Sequence, residues 1–279
     1  MKPDKKITWL KPLSAQEGYT GINRMFFMAG VFFCFFAAAD FPSGYARNLL
    51  LNRRNKMEYG LIGAFIKFAF AKTSFTYIEK EIPEMNMSDY KKRALKEYRA
   101  IAERTPGIGS MKDNMFVMTM YAGAFMIALY KQADGKLDEE KLKGLIRAAA
   151  FCPLMVKAKQ GKSAFAKKEI ASRIKQAKWS RDHIEEYPMN WFYYFETVPG
   201  KEEYYITHKQ CGICKLTKQE HCEGITKYLC MMDCYTFEMQ GAVLDRTKTL
   251  GYGDDACNFH LMSKARAGEL GFVPSPDAK

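Results

Sequence analysis

The sequence is short of acidic residues, and it lacks the common signatures of nucleic-acid-binding proteins. Lys and Arg number 43 against 31 Asp and Glu, which gives the 279-residue chain a formal charge of +12. Such an excess favours anionic partners, namely a small carboxylate or phosphate, or an anionic membrane surface that the protein contacts peripherally. The bases are concentrated between Lys157 and Arg181. Because no zinc-finger, RNP or helix-turn-helix pattern is present, we interpret this stretch as the solvated face of a helix and expect no nucleic-acid partner.

The sequence also lacks an apolar run of the length that a membrane-spanning helix needs. The longest run, Met25–Ala39, has fifteen residues, whereas a spanning helix takes about 20. We therefore predict that this segment packs against the chain's own helices. A signal or anchor segment is the alternative, because Ala37-Ala38-Ala39 resembles a signal-peptidase site, although the polar segment before the run is long for that purpose. The mean hydropathy of −0.31 favours a soluble protein.

The cysteines do not have the distribution of a secreted disulfide scaffold. Six of the eight lie between Cys211 and Cys257, together with histidines and carboxylates. Disulfide scaffolds are small domains that need cross-links, whereas a chain of this length can bury a core without them. We interpret the cluster as reduced thiols of a cytoplasmic protein and as the candidate functional region.

Periodicity and turn residues predict an α+β protein, helix-rich at first and then a small antiparallel sheet packed with helices. The chain divides into a polar lead (1–24), an N-terminal helical extension (25–109), an α+β domain (110–264) and a flexible tail (265–279). Asp138 is predicted to cap a helix that runs to about Lys159, and Pro153 is predicted to kink this helix or to end its regular part. The predicted β-rich segments are Trp191–Val198 and Tyr204–Lys209, which form a hairpin, then Val243–Leu250 and Cys257–Met262.

The predicted helix Gln219–Gln240 and the strand after it carry several reactive side chains. Helical spacing makes Cys230 and Asp233 neighbours on one flank. Arg246 follows in the strand, where a guanidinium can hold a carboxylate through two parallel hydrogen bonds; strict alternation would place Lys248 on its side of the sheet. The loop Gly251–Asp255 lacks the lysine and hydroxyl residue of a phosphate-binding loop, so its acids would instead orient a water or bind a metal.

A metal site is the competing interpretation of the thiols. Cys211-x-x-Cys214 has the spacing of a zinc or redox motif, but no second such pair follows. If a metal is present, zinc is the expected ion, and the expected ligands are Cys211, Cys214, His221 and Cys222. No cofactor follows with certainty from these spacings.

In order and spacing, these motifs resemble the L-2-amino-thiazoline-4-carboxylic acid hydrolase family over roughly Ser110 to Lys264. The chain departs from the family pattern at Asn258, where the family usually has Asp, and in its additional thiols Cys222 and Cys234. The motifs that carry the resemblance are Cys211-x-x-Cys214, Cys230-x-x-Asp233, Arg246-Thr247-x-Thr249-Leu250 and Gly253-Asp254-x-x-Cys257-x-Phe259.

The resemblance implies hydrolytic opening of a thiazoline or similar cyclic amidine carboxylate, at its C–S or C–N bond. We expect Cys230 or Cys257 as the nucleophile and Asp233 or Asp254 as the residue that orients or deprotonates water. Arg246 would hold the carboxylate of a small anionic substrate, with Thr249 and Gly253 beside it. The alternative is a ligand- or metal-binding module without turnover. Nothing in the sequence indicates an oligomeric state.

Overall fold

The structure, a computed structural model, describes residues 56–273. Six helices come first, and a four-stranded antiparallel sheet interrupted by three short helices follows, so the predicted α+β class is confirmed. The helices are α1 (Gly60–Glu81), α2 (Met87–Arg104), α3 (Val117–Lys131), α4 (Glu139–Ala150), α5 (Pro153–Lys159), α6 (Lys167–Asp182), α7 (Gly212–Gln219), α8 (Thr226–Leu229), α9 (Met231–Met239) and α10 (Lys264–Glu269). The strands are β1 (Phe192–Thr197), β2 (Glu203–Gln210), β3 (Ala242–Arg246) and β4 (Cys257–Ser263).

The helix boundaries follow local sequence signals. Asp138 caps α4, where its carboxylate accepts a hydrogen bond from the backbone N–H of Lys141 at 2.9 Å, and the following glutamates favour the positive end of the helix. The helix ends at Ala150, so its regular part stops before Pro153 as predicted, and Pro153 then begins the separate helix α5. Proline fits this first position because it has no N–H to leave unpaired.

Helix α3 lies at the centre of the core and packs against α1, α2 and α7. Ten of its fifteen residues are buried. Buried tyrosines tie its neighbours together: Tyr90 donates to the carbonyl of Leu129 at 2.8 Å, and Tyr98 donates to that of Gly63 at 3.2 Å. Because each buried hydroxyl has a partner, these rings add apolar area without leaving an unsatisfied polar atom.

The sheet has the strand order β1-β2-β4-β3, with all neighbours antiparallel. The predicted hairpin is confirmed, since β1 pairs with β2 across a turn in which Gly200 has a φ of 70°. His208 lies opposite Cys257, and Arg246 lies opposite Phe259. Residues paired across an antiparallel sheet point to the same side. All four are buried, so they share the face that packs against the helices.

The single helix predicted over Gln219–Gln240 is wrong. The chain ends α7 at Gln219, turns, and resumes as α8 and α9. His221 adopts a left-handed φ of 54°, the N–H of Cys222 donates to Thr217 O at 2.9 Å, and the N–H of His221 donates to Lys218 O at 3.1 Å. This bonding is that of a Schellman helix end, which usually has glycine at the left-handed position. The sequence has histidine at this position, so the glycine that would have indicated a helix end was absent.

Helix α1 is the one helix of residues 56–273 that is long and apolar enough to cross a membrane, and 39% of its apolar window is buried inside the protein. Its buried side chains, Ile66, Phe70, Phe75 and Ile78 among them, belong to the same core as α3. Helices before and after the predicted boundary at residue 110 thus share one core. The segment Met25–Ala39 lies outside the described residues.

The predicted tail begins with ordered structure. The chain runs from β4 directly into α10, whose cap Ser263 accepts a hydrogen bond from the N–H of Arg266 at 3.2 Å. The side chain of Arg266 then donates to the buried Glu203 at 2.6 Å. Residues 264–269 are therefore anchored to the sheet.

Candidate active site

Cys211 and Cys214 lie where β2 leads into α7. Cys211 is the N-cap residue of this helix, and Cys214 lies in its first turn. The hydrogen bond from the Cys214 thiol lowers the pKa of Cys211, burial opposes this effect, and the backbone N–H groups of Cys214 and Ile213 lower the pKa further. Neither N–H makes a regular capping bond to the thiol, but both favour the thiolate electrostatically, as does the positive end of a helix. The pKa of Cys214 moves the opposite way, because it is the donor to Cys211.

Gly212 allows this arrangement. A Cβ at this position would lie 2.6 Å from the ring of Trp191 and 2.8 Å from the carbonyl oxygen of Met189. Both distances are shorter than any tolerable contact, so a residue with a side chain would displace the start of α7. The tight packing holds Cys211 in place.

Cys230 and Cys257 lie on either side of one turn. The backbone N–H of Leu250 donates to the sulfur of Cys257 at 3.2 Å, and a Cβ on the next residue, Gly251, would lie 3.0 Å from the sulfur of Cys230. Burial raises the pKa of Cys257 to about 12 and that of Cys230 well above its ordinary value, where the charge of Cys211 adds to the effect. Both thiols therefore stay protonated near neutral pH.

Arg246 is paired with protein groups and has little contact with solvent. Its Nη1 donates to Asp233 Oδ2 at 3.0 Å and its Nη2 donates to the carbonyl of Cys230 at 3.1 Å. Nη2 also lies 4.0 Å from the sulfur of Cys234. The Arg246 side chain is 1% exposed and lies over the ring of Phe259. This guanidinium therefore fixes the position of Asp233.

The expectation that Lys248 shares the side of Arg246 is wrong. Strand β3 ends at Arg246, and the chain then turns. Lys248 is exposed and pairs with Asp255 at 3.0 Å. Alternation holds only while the ladder continues, so it did not apply beyond the last paired residue.

Asp233 has two properties that together describe its surroundings. Its side chain is 44% exposed, yet burial raises its pKa, against the opposing effect of Arg246. Both hold if the carboxyl group lines a recess that water reaches but that protein atoms surround. A carboxyl group with a raised pKa in such a recess can donate as well as accept a proton.

The glycine-acid loop brings Thr249 to the site and uses Asp254 to hold the turn. The N–H of Thr249 donates to Asp254 Oδ2 at 2.7 Å, and Gly253 ends the turn with a φ of 92°. Thr249 is fully buried, and within residues 56–273 its hydroxyl has no hydrogen-bond partner. Asp254 and Gly253 thus shape the loop that holds the buried hydroxyl of Thr249.

Asn258, the departure from the family pattern, also supports this loop. Its side-chain oxygen accepts the N–H groups of Lys248 and Thr247 at 2.6 and 3.1 Å, and its amide nitrogen donates to Thr247 Oγ1 at 2.8 Å. A carboxylate could accept the same two N–H groups. The substitution therefore preserves the turn that carries Thr249.

His208 is a residue that the sequence reasoning missed. It lies opposite Cys257, its ring is 4.9 Å from that of Tyr193 and 5.2 Å from that of Phe259, and it is 8% exposed. Burial, with the charges of Arg246 and Arg173, lowers its pKa to about 3, so it is neutral at physiological pH. His208 lies two residues along the strand from Ile206, so strand alternation puts both on the buried face. This alternation is the sequence signal that could have identified it.

The four expected zinc ligands do not lie together. Cys211 and Cys214 are in the first turn of α7, whereas His221 and Cys222 follow its last residue, about 10 Å away along an eight-residue helix. Across the described part of the chain, no group of three or more His, Cys, Asp or Glu residues is arranged to hold a metal ion.

The residues described above are those whose order and spacing along the chain gave the family resemblance. The family model described as L-2-amino-thiazoline-4-carboxylic acid hydrolase matches residues 118–261, which is just over half of the chain. The matched range runs from the central helix α3 to strand β4, and it contains the thiols, Asp233 and Arg246. Comparisons with curated proteins and with solved structures gave no match. The chain belongs to the L-2-amino-thiazoline-4-carboxylic acid hydrolase family.

Proposed function

We propose that the protein hydrolyses a small cyclic amidine that bears a carboxylate, such as 2-aminothiazoline-4-carboxylate, and that Cys211 is the nucleophile. The observation that carries this proposal is the Cys211 thiol at the start of α7, whose pKa is lowered while those of Cys230 and Cys257 are raised. A thiolate is the reactive form of cysteine, so at neutral pH the thiol with the lowered pKa is the better nucleophile.

In this proposal Asp233 donates and accepts the protons that the reaction moves. Its charge raises the pKa of Cys211, of Cys230 and of Cys257, which supports a role for this carboxyl group at the thiols. In its protonated form it gives a proton to the leaving ring sulfur, and as a carboxylate it takes one from water. Arg246 holds the carboxyl group in position, and the hydroxyl of Thr249 hydrogen-bonds the amidine.

In the first half of the reaction the Cys211 thiolate attacks the amidine carbon and the ring C–S bond breaks. The ring sulfur leaves with the proton of Asp233, and the amidine carbon is bonded to Cys211 as an isothiourea. In the second half Asp233 deprotonates a water, which adds to that carbon, and the Cys211 thiolate leaves. The isourea tautomerises to an N-carbamoyl amino acid with a free thiol. One water is consumed, and both enzyme groups return to their starting forms.

The scheme uses side chains and water alone, and it suits a reducing compartment. All seven cysteines of the described range are free, and a thiolate nucleophile next to a second thiol would be lost to a disulfide under oxidising conditions. We therefore place the protein in the cytoplasm. Its partner in this scheme is a small anionic substrate.

The test is turnover by matched cysteine variants. The wild type is incubated with 2-aminothiazoline-4-carboxylate, and the carbamoyl product is quantified by chromatography. Cys211→Ser should abolish turnover, because a hydroxyl has a far higher pKa than a thiol. Cys230→Ser and Cys257→Ser are the controls and should retain most activity. Acid-quenched wild-type enzyme should carry a substrate adduct on the Cys211 peptide. Full activity of Cys211→Ser would overturn the proposal.

A further inference from the structure

A group of polar atoms is buried between α6, the end of α9 and the sheet. Arg173 Nε, Tyr204 Oη, His208 Nδ1 and Gln240 Oε1 have no hydrogen-bond partner among the residues that the structure describes. Tyr204 is 0% exposed, Gln240 5% and His208 8%. Folded proteins pair nearly all of their buried polar atoms, so several unpaired ones in one region require an explanation. A polar ligand that binds there would supply the missing partners.

Ring contacts connect three of these residues, Arg173, Tyr204 and His208. The guanidinium carbon of Arg173 is 5.9 Å from the ring centre of Tyr204 and 5.3 Å from that of Phe237. The Phe237 ring is 6.5 Å from the Phe259 ring, which in turn is 5.2 Å from His208. Tyr204 and His208 both point to the inner side of β2, because they are four residues apart on one strand. These ring contacts thus connect Arg173 and Tyr204 with His208.

Arg173 supplies the positive charge of this region. The side chain of Arg173 is only 11% exposed and forms one ion pair, with Glu169 at 2.7 Å. Its charge lowers the pKa of His208 and opposes the rise in the pKa of Asp233. His208 is neutral and contributes no charge, and the phenol of Tyr204 keeps its proton because burial raises its pKa to about 12. Of the four unpaired atoms, Arg173 Nε and Tyr204 Oη donate, His208 Nδ1 donates in one tautomer, and Gln240 Oε1 only accepts. The donors around the Arg173 cation suit an anion.

We propose that Arg173, with the hydroxyl of Tyr204 and the ring of His208, binds the carboxylate of the substrate. This inference rests on the proposed function, because it assigns the anionic end of the substrate of the same site. Arg246 is the other guanidinium nearby, but it is already hydrogen-bonded to Asp233 and to the carbonyl of Cys230. The two arginines thus have different roles. Arg246 orients the carboxyl group of Asp233, and Arg173 binds the carboxylate of the substrate.

The experiment compares two ligands that differ only in the carboxylate and that the enzyme does not hydrolyse, 2-aminothiazole-4-carboxylate and 2-aminothiazole. Affinities are measured by isothermal titration calorimetry on the full chain under reducing conditions. The wild type should bind the carboxylate at least about tenfold more tightly, as expected for charge-assisted hydrogen bonds. Arg173→Met should remove this preference and leave the affinity for 2-aminothiazole unchanged. Lys175→Met, an exposed lysine of the same helix, is the control and should keep the preference.

A second variant separates binding from folding. Tyr204→Phe removes a single buried oxygen that has no partner within the described range. If this oxygen serves only a ligand, the variant should be as stable as the wild type or more stable, and it should bind the carboxylate several-fold more weakly. Unchanged carboxylate affinity in both Arg173→Met and Tyr204→Phe would overturn the inference, and so would a wild type that binds neither ligand.

Turnover and binding report on different claims. If Cys211→Ser is inactive on the thiazoline carboxylate while Arg173→Met has an unchanged KM, the proposed function stands and the carboxylate site is wrong. If the wild type does not turn over the thiazoline but prefers the carboxylate ligand through Arg173, the carboxylate site stands and the proposed reaction is wrong.

Discussion

The buried carboxylate of Glu220 at the end of α7 allows a prediction whose size follows from the structure. Its side chain is 2% exposed and accepts hydrogen bonds from Arg104 Nε at 2.8 Å and from Lys131 Nζ at 2.9 Å. These contacts join α7 to α2 and α3, and α7 carries Cys211 at its other end. We predict that Glu220→Gln destabilises the fold and loosens the helix that presents the proposed nucleophile, Cys211.

The magnitude comes from the pKa of this carboxyl group. Burial alone would raise it, but the hydrogen bonds from Arg104 and Lys131 lower it from 4.5 to about 2. At 1.36 kcal/mol per pKa unit this corresponds to about 3 kcal/mol. The Arg104 side chain is 41% exposed, so solvent weakens its interaction with the Glu220 carboxylate. We therefore expect Glu220→Gln to lower the free energy of unfolding by about 2 kcal/mol near neutral pH.

The pH dependence has a definite sign. Because the folded-state pKa of Glu220 lies below the unfolded-state value, its contribution is complete above about pH 5 and is lost as the pH falls toward about 2. The free energies of unfolding of wild type and Glu220→Gln, measured by urea denaturation followed by circular dichroism, should differ near pH 7 and converge in acid. Glu223→Gln, at an exposed position of the next turn, is the control. A difference that is absent near neutral pH, or that stays constant in acid, would refute the reasoning.

Three further predictions concern the thiol and its surroundings. Cys214→Ala should raise the pKa of Cys211, since the main cause of its lowering is removed, and the rate at which iodoacetamide alkylates Cys211 near neutral pH should fall. Gly212→Ala should lower both thermal stability and kcat, because its methyl group would lie 2.6 Å from a tryptophan ring and 2.8 Å from a carbonyl oxygen. Asp233→Asn should lower kcat more than it changes KM, and it should also destabilise the fold, because Arg246 is 1% exposed and loses the charge of its partner.

Each of these changes has a matched control in the chain. Cys222→Ala, beyond the far end of α7, should leave alkylation of Cys211 unchanged. Gly224→Ala has open space around its new methyl group and should be tolerated. Glu238→Gln, an exposed acid of α9, should leave kcat unchanged. Alkylation of Cys211 that does not depend on Cys214, an inert Gly212→Ala, or an Asp233→Asn enzyme with the wild-type kcat would each contradict the corresponding argument.

The sequence determined those parts of the fold in which local signals agree with tertiary packing. The α+β class, the cap at Asp138, the end of the regular helix before Pro153 and the hairpin of β1 and β2 all follow from periodicity, capping residues and turn residues. The predicted helix Gln219–Gln240 was wrong because its interruption at His221 uses a residue that rarely adopts the left-handed conformation. Contacts of Glu220 with α2 and α3 hold this turn in place, and no local pattern records them.

The sequence also determined the family, because the order and spacing of cysteines, acids and arginine are preserved along the chain. It could not rank the thiols. Whether a cysteine is reactive depends on its burial and on nearby hydrogen-bond donors, and these are properties of the assembled structure. The Cys211 thiol accepts a hydrogen bond from Cys214 at the start of a helix, which lowers its pKa. Cys230 and Cys257 are buried against a turn, which raises theirs. The pairing of Arg246 with Asp233 and the unpaired polar atoms around Arg173 likewise arise only when α6, α9 and the sheet pack together. Sequence spacing names the candidate groups, and only tertiary packing sets their charge, their partners and their access to a ligand.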